Sequence, residues 1–204
     1  MGQRIGKPEA YILGEWDFYD LTLEITPDVL IPRPETEILA ELAIKRASGR
    51  ALDLCCGSGC IGLAVAKHCP EVQVVLADIS PKALKVTERN ANEFSNVTVV
   101  QADVFKPNEL GQFDMIVCNP PYVTDAEYEE LDSSVKDYEP EIALRGGSDG
   151  MDFYRAIAKY WDAPMILLEV GWKQARDVAG MFKGREVEIL KDYSGIERIV
   201  IARK

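Results

Sequence analysis

Three things are scarce in this chain. Among 204 residues there is a single histidine, His68, and basic residues are outnumbered, 23 Lys and Arg against 34 Asp and Glu. The third is any long apolar run: none approaches the roughly 20 residues that cross a bilayer. The first segment, Met1 to Lys7, is polar and glycine-bearing, unlike the apolar stretch of a secretory signal. Together these point to a soluble, cytoplasmic protein with no membrane contact. With one histidine and no second Cys/His cluster at ligand spacing, no metal site is expected. The cysteines (Cys55, Cys56, Cys60, Cys69 and Cys118) are odd in number and sit in or beside apolar segments. Cys55 and Cys56 are neighbours that cannot easily bridge to each other, so reduced, buried thiols are the reading.

The shortage of positive charge bears on partners. A net charge of −11 with no basic stripe argues against a free-standing DNA or RNA enzyme, because such proteins gain much of their affinity by neutralising phosphates. A small molecule or a basic protein partner fits better, although a local positive channel is compatible with an acidic total. Also lacking are internal repeats, low-complexity tracts and any linker long enough to divide domains. One domain over 1–204 is expected, with a hairpin appendage at 1–30 and a core at 31–204; a monomer is assumed.

What is present is alternation. With 47% hydrophobic and 28% charged residues the composition is that of a globular core. Apolar strand signals at Arg50 to Leu54, Val72 to Ala77, Val97 to Gln101, Phe113 to Cys118 and Pro164 to Glu169 are interleaved with helical patterns. The helices are expected at Cys60 to His68, Pro81 to Phe94 with Ser80 as cap, Met151 to Trp161 and Trp172 to Phe182. Unbroken apolar strands separated by helices predict an α/β, Rossmann-like, mostly parallel sheet covered on both faces. Glu186 to Lys191 and Arg198 to Ala202 are joined too closely for a crossover, so the last pair is predicted to be an antiparallel hairpin. Ahead of the core, Tyr11 to Ile25 reads as a small hairpin and Pro34 to Arg46 as an amphipathic helix entered through Ile31, Pro32, Arg33 and Pro34.

Asp53, Leu54, Cys55, Cys56, Gly57, Ser58, Gly59, Cys60, Ile61 and Gly62 fall at the first strand-to-helix turn. Glycines there let backbone approach a ligand, and the following helix start offers free N–H groups. Asp78 ends the second strand, where a carboxylate can accept from both hydroxyls of a ribose. A nucleotide-like ligand is implied, but the glycine spacing also spells the dinucleotide pattern, so the loop alone leaves NAD open. Asp53 tilts the choice towards S-adenosylmethionine, since an acid inside the strand can orient the loop and meet the ammonium of a methionine. Asp103 follows the third strand, placed to receive the exocyclic amine of an adenine beside the apolar Val104 and Phe105; its alternative role is a helix cap or turn residue.

The sharpest motif is Asn119, Pro120, Pro121, Tyr122, directly after the fourth strand. At average residue usage this tetrapeptide occurs by chance in roughly one chain of this length in a thousand. Proline forces Asn119 into an extended conformation, so the chain leaves the sheet at its carboxyl edge. The Asn119 side-chain oxygen and the Pro120 carbonyl can take the two N–H bonds of a planar amide or amine, and Tyr122 offers a flat face. Phe18 and Thr36 are candidate walls of the same pocket, Phe18 on the substrate side and Thr36 on the cofactor side, with simple packing as the alternative for a hairpin aromatic.

On these motifs the chain resembles the HemK/PrmC family, the protein-(glutamine-N5) methyltransferases that modify the Gly-Gly-Gln motif of peptide-chain release factors. Asp53 to Gly59 is similar to the family's adenosylmethionine loop and Asn119 to Tyr122 to its acceptor motif. Further matches are Gly6, Pro8, Tyr11, Ile12 and Gly14; Leu30 to Glu37; Tyr138, Glu139 and Pro140; Ala143, Leu144, Gly146, Gly147, Asp149 and Gly150; and Glu169, Gly171 and Gln174. Leu30 to Glu37 discriminates most, because the acceptor motif is shared with amino-methyltransferases of nucleic-acid adenine and cytosine. The resemblance implies S-adenosylmethionine as cofactor, a release factor as protein partner and Asn119, Pro120, Pro121 and Tyr122 as the catalytic and substrate residues. It places Asp53, Cys55, Cys56, Gly57, Ser58, Gly59, Asp78, Asp103, Val104, Asn119 and Thr36 around the cofactor. A sister group acts on a ribosomal protein, and Pro32 to Thr36 leans towards release factors. Two departures stand out. Cys55 and Cys56 replace the family's usual Gly and Thr, and the sequence starts near the catalytic domain, without the helical N-terminal domain that helps hold the release factor, so weak partner affinity is expected.

Overall fold

The computed structural model of the protein describes residues 6–204. It opens with a short helix α1 (Glu9–Leu13), a two-stranded antiparallel hairpin β1 (Glu15–Phe18) and β2 (Leu21–Glu24), and helix α2 (Thr36–Ile44). The hairpin is therefore shorter than the sequence predicts: Tyr11 to Leu13 are helical. Gly14, at φ +81°, ends that helix in the left-handed region that suits glycine, and the helical placement carries the Tyr11 hydroxyl to the Val29 carbonyl at 2.7 Å.

The core follows as β3 (Arg50–Leu54), α3 (Cys60–His68), β4 (Gln73–Asp78), α4 (Pro81–Asn90), β5 (Val97–Gln101) and β6 (Met115–Cys118). After β6 come two short helices, α5 (Asp125–Glu129) and α6 (Ser133–Lys136), and a single turn at Glu141–Ala143. The chain closes with α7 (Asp152–Tyr160), β7 (Met165–Glu169), α8 (Ala175–Met181), β8 (Glu186–Lys191) and β9 (Glu197–Arg203). Seven strands form one sheet in the order β5-β4-β3-β6-β7-β9-β8. β3 to β7 are parallel neighbours, while β9 runs antiparallel to both β7 and β8. The mostly parallel sheet with its antiparallel end is thus as the strand spacing predicts.

Two apolar layers sandwich this sheet. One gathers residues of α2, α3 and α4 with the hairpin, around Phe18, Leu39, Leu63 and Leu76; the other gathers α7 and α8, around Tyr154, Ile157 and Val178. Gly62 is needed where α3 crosses the sheet, since a Cβ there would lie 2.2 Å from Leu76 Cδ2 and 3.0 Å from Asp53 Cβ. Two helices stop short of their predicted extent. α4 ends at Asn90, not Phe94, because the Asn90 amide turns away to bond the Glu24 backbone in the hairpin and the Ser58 carbonyl in the glycine loop. α8 begins at Ala175, not Trp172: Lys173 sits at φ +68°, outside the helical range, and Gln174 Oε1 accepts the Gly171 N–H instead.

Chain order places the site. From the central β3 the chain runs outward to β5, then returns to β6 on the other side of β3, so the loops leaving β3 and β6 diverge and open a crevice at the carboxyl edge.

Candidate active site

The loop after β3 lines one side of that crevice. Cys55 (φ +61°), Gly57 (φ +55°) and Gly59 (φ +84°) are all left-handed, and Cys55 is so despite its Cβ, at a cost of about 1–2 kcal/mol. A residue with a Cβ at this position thus adds strain to the loop. Cross-links hold the loop in place: Cys56 N–H donates to Ala77 O (3.0 Å), Gly57 N–H to Asp78 Oδ2 (3.0 Å), and the Thr87 hydroxyl to Gly57 O (2.7 Å). Beneath it lies Asp53, 1% exposed, whose Oδ2 accepts the Gly62 N–H at 2.8 Å while Oδ1 is buried without a hydrogen-bond partner. Burial, against the Gly62 N–H, pushes the Asp53 pKa up to about 7.

Asp78 ends β4 on the next strand. Its two oxygens accept N–H bonds from Ser80 (2.9 Å) and Gly57 (3.0 Å), and each keeps a lone pair for a further donor. Burial raises its pKa, and the backbone N–H groups of Ser80, Gly57 and Ile79 work against that rise.

Across the crevice, Asn119 follows β6 and donates from Nδ2 to Thr36 Oγ1 at 3.2 Å; Thr36 is 2% exposed and is the first residue of α2. Among the described residues nothing donates to Asn119 Oδ1 or to the Pro120 carbonyl, so both acceptors stay free. Beside Asn119, at the end of β7, lies Glu169, 2% exposed, with Oε2 buried and unpartnered. Burial pushes its pKa up to about 7, opposed by Thr36, Arg198 and Asn119.

The cavity between these elements opens to solvent, with about 780 Å³ of empty space in it and its mouth together. Thr36, Cys55, Cys56, Gly57, Ser58 and Asp78 line it, as do Asn119 and Pro121. The remaining candidates stand off its wall. Phe18 is 1% exposed within the apolar layer, so packing explains it without a substrate role. Gly59 starts the α3 turn, Pro120 is buried, and Tyr122 lies against Gly171 with burial raising its pKa to about 12. Asp103 borders a neighbouring recess that shares Ile79 with the main cavity; its carboxylate accepts the Phe105 N–H (2.9 Å) and pairs with Lys106 (3.7 Å). Val104 is buried, its carbonyl accepting from Trp161 Nε1.

Sequence reasoning overlooked the apolar walls Val29, Leu30, Ile79, Ile142 and Phe153. Ile79 had a signal, since it directly follows Asp78 and is 40% exposed despite its apolar side chain. Phe153 had none, because only the fold brings it to the cavity, edge-on to Phe105 at 4.9 Å. The residues present fit S-adenosylmethionine: a carboxylate with spare lone pairs for a ribose, a glycine-bearing loop lining the cavity, apolar walls for a base, and a buried orphan acceptor at Asp53 beneath the loop.

Comparison with known proteins identifies the chemistry. The family model described as "Methyltransferase small domain" matches residues 34–134. A release factor glutamine methyltransferase from Thermodesulfovibrio yellowstonii is 42% identical, over 97% of this chain and 77% of its own length. A second protein of that name, from Chlamydia trachomatis, is 44% identical over 94% of this chain and 70% of its own length. The chain belongs to the release factor glutamine methyltransferases. Among solved structures, a methyltransferase from Pyrococcus furiosus superposes with a TM-score of 0.66 at 18% identity, covering 89% of this chain and 88% of that one. The hMettl16 catalytic domain does so at 0.66 and 13% identity, covering 89% and 74%. These share the fold, the Rossmann-like class I methyltransferase arrangement. Membership in this family and the fold together imply S-adenosylmethionine as methyl donor.

Proposed function

We propose that this protein transfers a methyl group from S-adenosylmethionine to the side-chain amide nitrogen (N5) of the glutamine in the Gly-Gly-Gln motif of peptide-chain release factors. It does so as a single-domain monomer in the cytoplasm. The observation that carries the reading is Asn119, which lines the crevice with its Oδ1 free to accept, followed by the Pro120 carbonyl, which also accepts from nothing among the described residues, while the other side of the crevice fits the cofactor.

Bound adenosylmethionine supplies an electrophilic methyl on a sulfonium. The protein's share is binding, orientation and exclusion. Asp78 takes the ribose hydroxyls, and Cys55, Cys56, Gly57, Ser58 and Gly59 offer backbone to the rest of the ligand, with Asp53 set beneath them. Asp103 flanks the adenine from the adjoining recess, next to the buried Val104. An amide nitrogen is a poor nucleophile because its lone pair is delocalised into the carbonyl. Accepting both its N–H bonds at Asn119 Oδ1 and Pro120 O raises electron density on nitrogen and aims the lone pair, at a contact of about 3–3.5 Å. Pro121 stiffens the loop and Tyr122 supplies a flat face to the amide. No strong base is needed at the nitrogen, since the spare proton becomes acidic only once the methyl has arrived.

Among the described residues no helix is long and apolar enough to cross a membrane. The test is a labelled-methyl transfer assay with release factors and ribosomal proteins side by side. Label in the release factor supports the reading; label confined to a ribosomal protein overturns the choice of partner.

A further inference from the structure

Asn119 can serve a substrate amide in only one of its two orientations. With Oδ1 towards the substrate it accepts an N–H; flipped, it presents a second donor to a donor. The contact that orients it is Nδ2 to Thr36 Oγ1 at 3.2 Å. A hydroxyl both donates and accepts, so Thr36 alone tolerates the flipped amide equally well. A group that only accepts, placed behind Thr36, removes that freedom.

Glu169 is the buried acid that stands beside this pair. On β7, Leu168 pairs with Cys118 of β6, so the next residue along each strand, Glu169 and Asn119, lie side by side at the carboxyl edge. The carboxyl is 2% exposed, and its Oε2 has no partner. The Thr36 hydroxyl and the Asn119 side chain both favour its charged form. We propose that Glu169 is a positioning residue of the methyl-transfer site: its carboxylate holds the Thr36 hydroxyl as a donor, leaving the hydroxyl oxygen to accept from Asn119 Nδ2 and turning Asn119 Oδ1 to the substrate. This rests on Asn119 being the group that aligns the acceptor.

Protonated Glu169 becomes a donor itself, and the orientation is no longer dictated. The groups facing it are Glu35 ahead of α2, Arg198 on β9, Tyr122 after β6, Tyr154 on α7 and Cys60 on α3. Burial pushes the pKa of Tyr122, Tyr154 and Cys60 up, which keeps all three neutral near neutrality, so Glu169 supplies the change of charge there. Turnover therefore falls as pH drops through about 7, or somewhat lower with the sulfonium bound, since a nearby cation favours the carboxylate.

The experiment measures kcat, KM for a release factor and Kd for adenosylmethionine across this pH range in wild type, Glu169→Gln, Thr36→Val and Thr36→Ser. A glutamine amide donates as readily as it accepts, so Glu169→Gln lowers kcat about 10-fold or more, leaves the cofactor Kd within about 2-fold, and abolishes the acid limb. Thr36→Val gives the same loss, Thr36→Ser recovers most of it, and the double variant Glu169→Gln with Thr36→Val is no worse than either single one. Wild-type turnover in Glu169→Gln, or an acid limb that persists in it and so belongs to Asp53, overturns the proposal. Should Glu169→Gln fail to fold, an undiminished kcat in Thr36→Val overturns it equally. Asn119→Ala separates the two levels: if it lowers kcat while Glu169→Gln does not, only this inference fails, and if it leaves kcat untouched, the reading of Asn119 falls with it.

Discussion

Each aspartate and asparagine in the crevice does one job, fixed by what already occupies its hydrogen-bonding capacity. Asp78 spends one lone pair per oxygen on Ser80 and Gly57 and has the rest free, which is what the proposed ribose contact requires. Asp78→Ala is therefore expected to weaken adenosylmethionine binding by about 1.5–3 kcal/mol, the range for hydrogen bonds to a charged group; titration calorimetry giving an unchanged Kd removes Asp78 from the site. Asn119 has its donor end committed and its acceptor end free. Asn119→Ala should lower kcat far more than it weakens cofactor binding, because the lost interaction is realised chiefly as the nitrogen lone pair is committed. Equal losses in both would assign Asn119 to binding or folding. Asp53 and Asp78 were legible in the sequence because the strand and loop pattern alone puts them at the sheet edge. Asp53's orphaned oxygen was not, since it depends on how α3 packs above it through Gly62.

The segment between β6 and α7 braces the acceptor loop from behind. Gly146 N–H donates to Val123 O at 2.8 Å, and a Cβ on Gly146 would lie 2.8 Å from both the Pro121 carbonyl oxygen and Tyr122 Cα. Since those neighbours are backbone, Gly146→Ala forces the acceptor loop to shift. The expected result is a loss of about 10-fold in kcat with an unchanged cofactor Kd, at a stability cost of about 1–3 kcal/mol; full activity would show that the loop tolerates displacement. At this scale the sequence reads well where periodicity and turn chemistry agree. β3, α3, β5 and β8 lie where the apolar pattern puts them, and Ser80 caps α4 through Ala83 N–H as its position before Pro81 suggests. It reads poorly where a side chain competes with the backbone ladder. Asn90 and Gln174 each divert a hydrogen bond that a helical pattern assigns to the helix, and Tyr11 trades a strand for a helix to bury its ring.

For the molecule as a whole, two carboxyls stripped of solvent couple stability to pH. Asp53 and Glu169 are pushed up to about 7 by burial, against about 4 in an unfolded chain. The folded state thus holds more protons than the unfolded one between these values. The stability these groups contribute is fully present below about pH 4 and is lost as pH rises through about 7. The surface carboxylates held below their usual range, Asp20, Glu129, Asp132 and Asp149 among them, work in the opposite sense but are exposed to screening solvent. Urea midpoints should therefore fall from about pH 5.5 to about pH 8.5, and less steeply in Asp53→Asn; a flat or rising profile contradicts the assignment of buried, protonatable carboxyls. Over the same interval the charging of Glu169 raises turnover, so the site is most active where the fold is less stable. The acceptor itself is selected by the same economy of donors and acceptors. Two free oxygens suit a neutral group with two N–H donors, while a carboxylate leaves them unpaired at about 1–3 kcal/mol each and adds charge repulsion. The most direct measurement is mass spectrometry of a release factor incubated with the enzyme and adenosylmethionine, alongside its Gly-Gly-Glu variant and short single-stranded DNA at physiological salt. One methyl group on the glutamine of Gly-Gly-Gln, none on Gly-Gly-Glu and little on DNA is the predicted result, whereas methylated DNA adenine beside an untouched glutamine would contradict it.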